Sequence, residues 1–244
     1  MNKKILSDAQ VAAFERDGYI LVTSLFDEAE ADILRKTAKA DAAFQKNTYD
    51  LKDGEGGATK LALWNKAGEN VYGTVARCPR IVDSMEQLLG DEVYHYHSKM
   101  SIKEPFTGGA WSWHQDYGYW YMNGCLYPDM ASAFVAVDPN TKENGCLQVL
   151  KGSHKMGRVE HGKFGDQTGA DPERVEAARQ RHGSGLCRNE SGRCPLLSLK
   201  YIAPFRPEQI SEPALVTHLL LQHQAQQSLQ AQPSSLLRKI GKGF

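Results

Sequence analysis

The chain has no apolar run long enough to span a bilayer, no CxxC spacing, no internal repeat and no excess of charge of either sign. Each absence excludes a class. A transmembrane helix needs ~20 consecutive apolar residues, which are not there. The Asn2-Lys3-Lys4 start leads into a polar, helix-like segment, unlike a signal sequence. Lys plus Arg and Asp plus Glu both total 29, so neither nucleic acid nor a membrane surface is an expected partner. The five cysteines (Cys78, Cys125, Cys146, Cys187 and Cys194) are odd in number and fit reduced thiols better than a disulfide framework or a zinc site. A cytoplasmic protein is the expectation; the oligomeric state is not legible.

The 244 residues suffice for one good core, with no sign of a second domain of comparable size. Ser7 with Gln10 forms a capping box, Val11 and Phe14 begin an apolar stripe, and Gly18 stops this first helix. Tyr19 to Val22 reads as a strand, and Asp27 with Glu30 caps a helix running to about Ala40. Asp53 to Gly57 is a loop, and Pro79 to Leu89, closed by Gly90, is another helix. Strand signals follow over Glu92 to Ile102, Trp111 to His114, Ala131 to Asp138 and Cys146 to Leu150. The Asp138-Pro139-Asn140 and Asn144-Gly145 turn chemistry predicts a reversal that makes Phe134 and Leu147 neighbours. The pattern is α+β with a mainly β core and helices ahead of it. One domain over residues 1–182 is expected, then an atypical, poorly packed or disordered tail over 183–244, where acidic residues dwindle to Glu190, Glu208 and Glu212 and Gln222 to Gln232 is glutamine-rich.

The chemistry is concentrated in Trp113-His114-Gln115-Asp116. A histidine and an aspartate two residues apart on an extended backbone share a face, and together they are two-thirds of a 2-His-1-carboxylate iron site. The third ligand, a later histidine, is not evident. Trp111, Trp113, Tyr117, Tyr119, Trp120 and Tyr121 flank the pair, as core packing or as a wall that excludes water. His161, His182, His218 and His223 have no supporting spacing and read as solvated histidines.

Glu92 to Lys103, the HxD of His114 and Asp116, Asn144-Gly145-Cys146-Leu147 and Gly152-Ser153-His154-Lys155, in that order, resemble the phytanoyl-CoA dioxygenase (PhyH) superfamily of Fe(II)/2-oxoglutarate oxygenases. The likeness runs from about Ser7 to Gly162. It implies a double-stranded β-helix, or jelly roll, with N-terminal helices. It also implies Fe(II) on His114 and Asp116 as catalytic metal ligands, and 2-oxoglutarate in a pocket lined by Lys99 and Phe134 with Lys103 close by. His154 takes a structural or substrate-side role. The implied reaction hydroxylates a small molecule with O2 while 2-oxoglutarate is oxidised to succinate and CO2, an arginine pairing with the distal carboxylate of the cosubstrate. An acyl-CoA and an amino acid or compatible solute are both compatible with Lys99, Lys103, Lys151 and Lys155. Two other readings remain: a non-catalytic protein that keeps a cofactor-sized pocket, and a cupin-like isomerase, which is disfavoured because such sites draw on more histidines.

The chain departs from the family pattern near its end. The family's last strands read like FFHCNTLHRSDQN followed by PRW, and nothing of the kind appears, so the jelly roll is expected to be incomplete at its C-terminal strands. Yet the codons allowed by Leu196 to Gln222, read one nucleotide on, also permit FFHSNTLHRSDQNKSASPRWSLICCYN. The distal histidine comes from the bases of Ala203 and Pro204, and the arginine from those of Ala214 and Leu215. The sequence reading therefore places a change of frame near Gly183 and expects the chain as written to be impaired.

Overall fold

The computed structural model describes residues 5–53, 55–103, 109–141, 144, 146–187, 194–198, 202–205 and 214–223. Helix α1 (Asp8–Asp17) starts at the reciprocal Ser7/Gln10 capping box and ends at Gly18, whose φ of 83° is left-handed. Strand β1 (Tyr19–Val22) follows, then α2 (Glu28–Ala40), capped in the same way by Asp27 and Glu30, and α3 (Ala42–Lys46). Strands β2 (Tyr49–Lys52) and β3 (Ala58–Trp64) flank the Asp53–Gly57 loop. Next come α4 (Val71–Ala76) and α5 (Pro79–Leu89), the latter opened by proline and closed by left-handed Gly90. The main strands are β4 (Val93–Lys103), β5 (Trp111–Gln115), β6 (Met130–Ala136) and β7 (Leu147–Leu150), with α6 (Asp116–Met122) between β5 and β6. The hairpin β8 (His161–Phe164) and β9 (Gln167–Ala170) leads to α7 (Pro172–Arg181). Last are β10 (Ser184–Cys187), β11 (Cys194–Ser198), β12 (Ile202–Phe205) and β13 (Ala214–His223).

Seven strands form one sheet in the order β1-β11-β6-β13-β4-β3-β2. The facing layer is built of the pairs β8–β9, β12–β5 and β10–β7, with β5 also lying beside β9 and β12 beside β7. This is the double-stranded β-helix. The N-terminal helices bury Phe14, Leu34, Ile81 and Met85 together with Met100, Ala131, Ala133 and Val135 of the large sheet. That apolar layer fixes β4 and β6 as the rigid floor of the site.

Three differences from the sequence reading have physical causes. Phe134 and Leu147 are not on paired strands: β6 pairs with β11 and β13, and β7 with β10. The intervening turn is closed by its own side chain, Asn144 accepting from Thr141 N (2.8 Å) and donating to Pro139 O (2.7 Å), and it carries the chain from one layer to the other. Asp116 does not continue the extended backbone of His114 but is the first residue of α6, an aromatic-rich helix whose period is hidden because nearly every position is large. After Gly183, where the sequence shows no period from which to place strands, β10 to β13 pair with their neighbours in the described backbone. A central strand is apolar on both faces, and a short apolar run such as Leu219-Leu220-Leu221 cannot be told from a helix segment by period. Most of the glutamine-rich segment lies outside the described residues.

The Gly-Ser-His motif is structural. Gly152 donates to Asp17 O (2.8 Å) and His154 Nε2 donates to Glu15 O (2.9 Å), pinning the C-terminus of α1 to the turn after β7. A Cβ on Gly18 would lie 2.4 Å from His154 Nδ1. Gly18→Ala is therefore expected to cost at least ~1–2 kcal/mol from the left-handed backbone alone, with displacement of His154 adding to it. Differential scanning fluorimetry should show a clear drop in Tm, and an unchanged Tm would show that this clamp does not contribute to stability.

Candidate active site

His114 sits at the penultimate position of β5, and its Nδ1 donates to Ser112 O at 2.8 Å. That bond leaves the lone pair on Nε2, the usual arrangement of a metal-ligating histidine. Nε2 lies 3.4 Å from Asp116 Oδ1. Asp116 is buried, and its Oδ2 has no hydrogen-bond partner. Burial pushes this carboxyl up, but the adjacent His114 imidazole, with Lys99 and His97 nearby, outweighs it and holds it below the usual range. An orphaned buried carboxylate oxygen is costly unless something compensates it. An imidazole lone pair beside that oxygen is a donor set that a divalent metal satisfies. The two residues fit Fe(II); among the described residues no third His, Cys, Asp or Glu joins them in a cluster. His161 is close by, but its Nε2 accepts from Gln115 N (3.0 Å) and its Nδ1 donates to Val159 O (2.8 Å), so both nitrogens are committed. His182 faces Lys151 O.

Asp116 opens onto a cavity of about 220 Å³ whose walls include His97 and Lys99 of β4, Trp111 of β5, Tyr119 and Trp120 of α6, and Lys163 and Asp166 of the β8–β9 hairpin. The aromatic cluster therefore divides. Trp111, Tyr119 and Trp120 form the cavity wall, whereas Trp113 lies under Arg179 (5.8 Å) outside it and Tyr117 stacks edge-on with Tyr121 (6.0 Å). The Lys99 ammonium lies 4.9 Å from the Trp111 ring and has no hydrogen-bond partner among the described residues. Burial lowers its pKa, and only the Asp116 charge opposes that. A half-buried ammonium with three free donors in a cavity is a receiver for an anion.

Lys99 and Phe134 occupy one rung of the large sheet, each directly opposite His218 of the strand between them, so they share a face. Phe134 itself is half-buried and is not part of the cavity wall just described. Lys103 ends β4 opposite Ala214, on the Lys99 face and about 13 Å along the strand.

Sequence reasoning missed His97. In a regular strand Tyr96 and His97 would point to opposite faces, but the β4–β13 register slips between Leu220 and Leu221, and Tyr96 is the extra residue. A bulge of this kind re-aims side chains, and both rings pack on Trp120, at 5.0 and 5.1 Å. The only sequence signal was the Tyr94-His95-Tyr96-His97 alternation beside Lys99. Burial, with the Lys99 charge next to it, lowers the His97 pKa to about 3. The folded protein thus keeps this ring neutral while the unfolded chain protonates near pH 6.5, so stability is lost as pH falls from about 6.5 towards 3. The full effect is roughly 4–5 kcal/mol. Thermal melts at pH 7, 5 and 4 should show a steeper acid loss in the parent than in His97→Gln; parallel curves would refute the assignment.

The family profile of phytanoyl-CoA dioxygenase (PhyH) matches residues 14–186. An L-proline trans-4-hydroxylase of Streptomyces griseoviridis is 33% identical over 156 residues, covering 64% of this chain and 58% of the relative. An ectoine dioxygenase of Sphingopyxis alaskensis is 32% identical over 158 residues, covering 63% and 52%. The matched stretch thus spans little more than half the length of these relatives. EctD from S. alaskensis, solved with 2-oxoglutarate and 5-hydroxyectoine, superposes with a TM-score of 0.78 at 26% identity over 93% of this chain and 79% of that one. The Fe-bound form gives 0.78 at 25%, over 93% and 80%. With the HxD pair, the jelly-roll layers and the profile all in agreement, the chain belongs to the phytanoyl-CoA dioxygenase (PhyH) family.

Proposed function

We propose that the site performs Fe(II)- and 2-oxoglutarate-dependent hydroxylation of a small, compact substrate with O2, in the cytoplasm. The observation that carries this is the His114 Nε2 lone pair beside the orphaned Asp116 Oδ2 at the edge of a cavity holding the Lys99 ammonium, which has no hydrogen-bond partner among the described residues. His114 and Asp116 hold the metal, which when bound supplies oxygen activation. Lys99 receives a carboxylate of 2-oxoglutarate, with Phe134 and Lys103 on the same sheet face. Trp111 and Trp120 exclude water from the reacting atoms. A volume of about 220 Å³ suits an amino acid or compatible solute and not an acyl-CoA. The proline and ectoine enzymes among the relatives support that size class. The cytoplasmic reading is supported by Cys78, which forms no disulfide among the described residues.

We also propose that residues 183–244 are an out-of-frame tail and that the chain as written is impaired. The family match ends at residue 186, beside the point where the codons allow a change of frame. The experiment is succinate release from 2-oxoglutarate by the frame-corrected protein with Fe(II), offered L-proline, ectoine or an acyl-CoA. Stimulation by the compact compounds alone supports the reading. Stimulation by the acyl-CoA alone overturns the size argument, and 2-oxoglutarate binding without any turnover would favour a non-catalytic pocket.

A further inference from the structure

The β8–β9 hairpin lines the Asp116 cavity beside the residues assigned to metal and cosubstrate. Phe164 pairs with Gln167, so Gly165 and Asp166 form a two-residue turn. Gly165 has a φ of 59° and Asp166 has no positive φ, which is the II′ form that a Gly-Asp turn favours. Three ties hold this hairpin in place. The buried Gln167 side chain accepts from Ser112 N (2.8 Å) and donates to Ala110 O (2.7 Å). His161 Nε2 accepts from Gln115 N (3.0 Å). Asp166 N donates to Lys52 O and Asp166 Oδ2 accepts from Lys52 N, both at 3.3 Å. The hairpin is thus bolted to β5 on one side and to β2 on the other, and its side chains are placed by that frame.

Two of those side chains bring opposite charges to the cavity. Lys163 and Asp166 are both exposed and both line it, so they stand at its mouth, while Asp116 is buried within. The Lys163 ammonium donates to Thr168 Oγ1 across the hairpin (3.1 Å), which leaves two of its three donors free among the described residues. Asp166 commits Oδ2 to Lys52 and keeps Oδ1. The large sheet supplies Leu51, Leu61 and Leu63 to the same cavity, Leu63 being directly opposite Lys99. A cation and an anion at the mouth beside an apolar sheet face match a molecule that has both charges and an apolar middle. A molecule with one charge leaves the other hairpin group without its partner, and that is a basis for selection.

We propose that Lys163 and Asp166 are specificity determinants of this site, Lys163 binding the carboxylate and Asp166 the ammonium group of a compact zwitterion. This rests on the reading of the cavity as the substrate site of a 2-oxoglutarate-dependent hydroxylase. It does not rest on the reading frame, because every residue that lines the cavity lies before Gly183.

The test uses the chain as written and three probes with one five-membered ring: L-proline with both charges, pyrrolidine with the cation alone and cyclopentanecarboxylate with the anion alone. Binding is read by calorimetry and by the fluorescence of Trp111 and Trp120, which line the cavity. The parent is expected to bind L-proline roughly 2- to 5-fold more tightly than either single-charge ring, the worth of an exposed charge pair. Lys163→Met should bring L-proline down to the level of pyrrolidine, and Asp166→Asn should bring it down to that of cyclopentanecarboxylate. Neither change should alter 2-oxoglutarate affinity. A variant that weakens all three rings alike has a structural role only, and that overturns the proposal. Loss of 2-oxoglutarate binding in Lys163→Met also overturns it, by giving the ammonium to the cosubstrate. If Lys163→Met melts below the parent, Lys163→Gln, which keeps a donor for Thr168, is expected to show the same pattern. A parent that binds 2-oxoglutarate with no order among the rings overturns the hairpin assignment alone, whereas a parent that binds none of the four compounds overturns the reading of the cavity with it.

Discussion

Correcting the frame near Gly183 is expected to raise Tm by about 5–20 °C and to switch on Fe(II)-dependent succinate release from 2-oxoglutarate that His114→Ala abolishes. Strand β12 covers β5 and therefore the His114 rung. Its register shifts between Ala203 and Phe205, around Pro204. Proline cannot donate to a ladder and is tolerated mainly at edges and bulges, so the strand that should close the site is interrupted beside it. The shifted peptide has an arginine codon at that position and no proline until the PRW triplet. Restoring two buried partners at ~1–3 kcal/mol each, with ~2–4 °C per kcal/mol for a chain of this size, gives about 4–24 °C, in line with the stated range. In the shifted peptide the histidine falls at position 203, opposite His114, and the arginine at position 214, opposite Lys103. Both new groups thereby join the faces on which His114 and Lys99 already lie. Expressing both versions and measuring succinate and thermal unfolding decides the matter: coding DNA that cannot encode the shifted peptide, or a corrected chain that neither melts higher nor turns over, ends the out-of-frame reading.

Lys99→Met is expected to move stability and function in opposite directions. The Lys99 ammonium packs against Trp111 with no hydrogen bond among the described residues, and burial already pulls its pKa down. Replacing an uncompensated charge by an unbranched apolar side chain of similar length removes a desolvation cost of about 1–3 kcal/mol, offset in part by the lost attraction to Asp116. The melting temperature should therefore hold or rise. In the frame-corrected protein the same change removes a charge-assisted bond to the cosubstrate, worth about 1.5–3 kcal/mol, or roughly 10- to 100-fold in 2-oxoglutarate affinity. Calorimetric binding of 2-oxoglutarate beside a thermal melt reads both effects. Unchanged affinity would assign the ammonium to another anion, such as a substrate carboxylate, and a large fall in Tm would make Lys99 a structural residue.

Much of the fold was legible because it is written in local chemistry. Ser7/Gln10, Asp27/Glu30, Pro79 and the two left-handed glycines Gly18 and Gly90 act within a few residues of themselves, so helix ends could be placed from sequence and were found there. The HxD pair was legible for the same reason. His97 was not, because its direction depends on a bulge set by pairing with β13, over a hundred residues away in sequence. The partition of the aromatic run 111–121 into a cavity wall and an outer cluster depends on where α6 begins, and that follows from packing and not from composition.

By itself, then, the sequence determined the helix caps, the β core and the His-x-Asp spacing of the family's motif, since each is fixed by neighbours along the chain. Only the tertiary structure decided that Asp116 leaves an oxygen orphaned, that Lys99 and His97 share a cavity with it, and that Ala203 lies opposite His114. Those are long-range facts. A ladder register and a cavity arise from pairing between distant segments, and side-chain period alone cannot say which strand meets which.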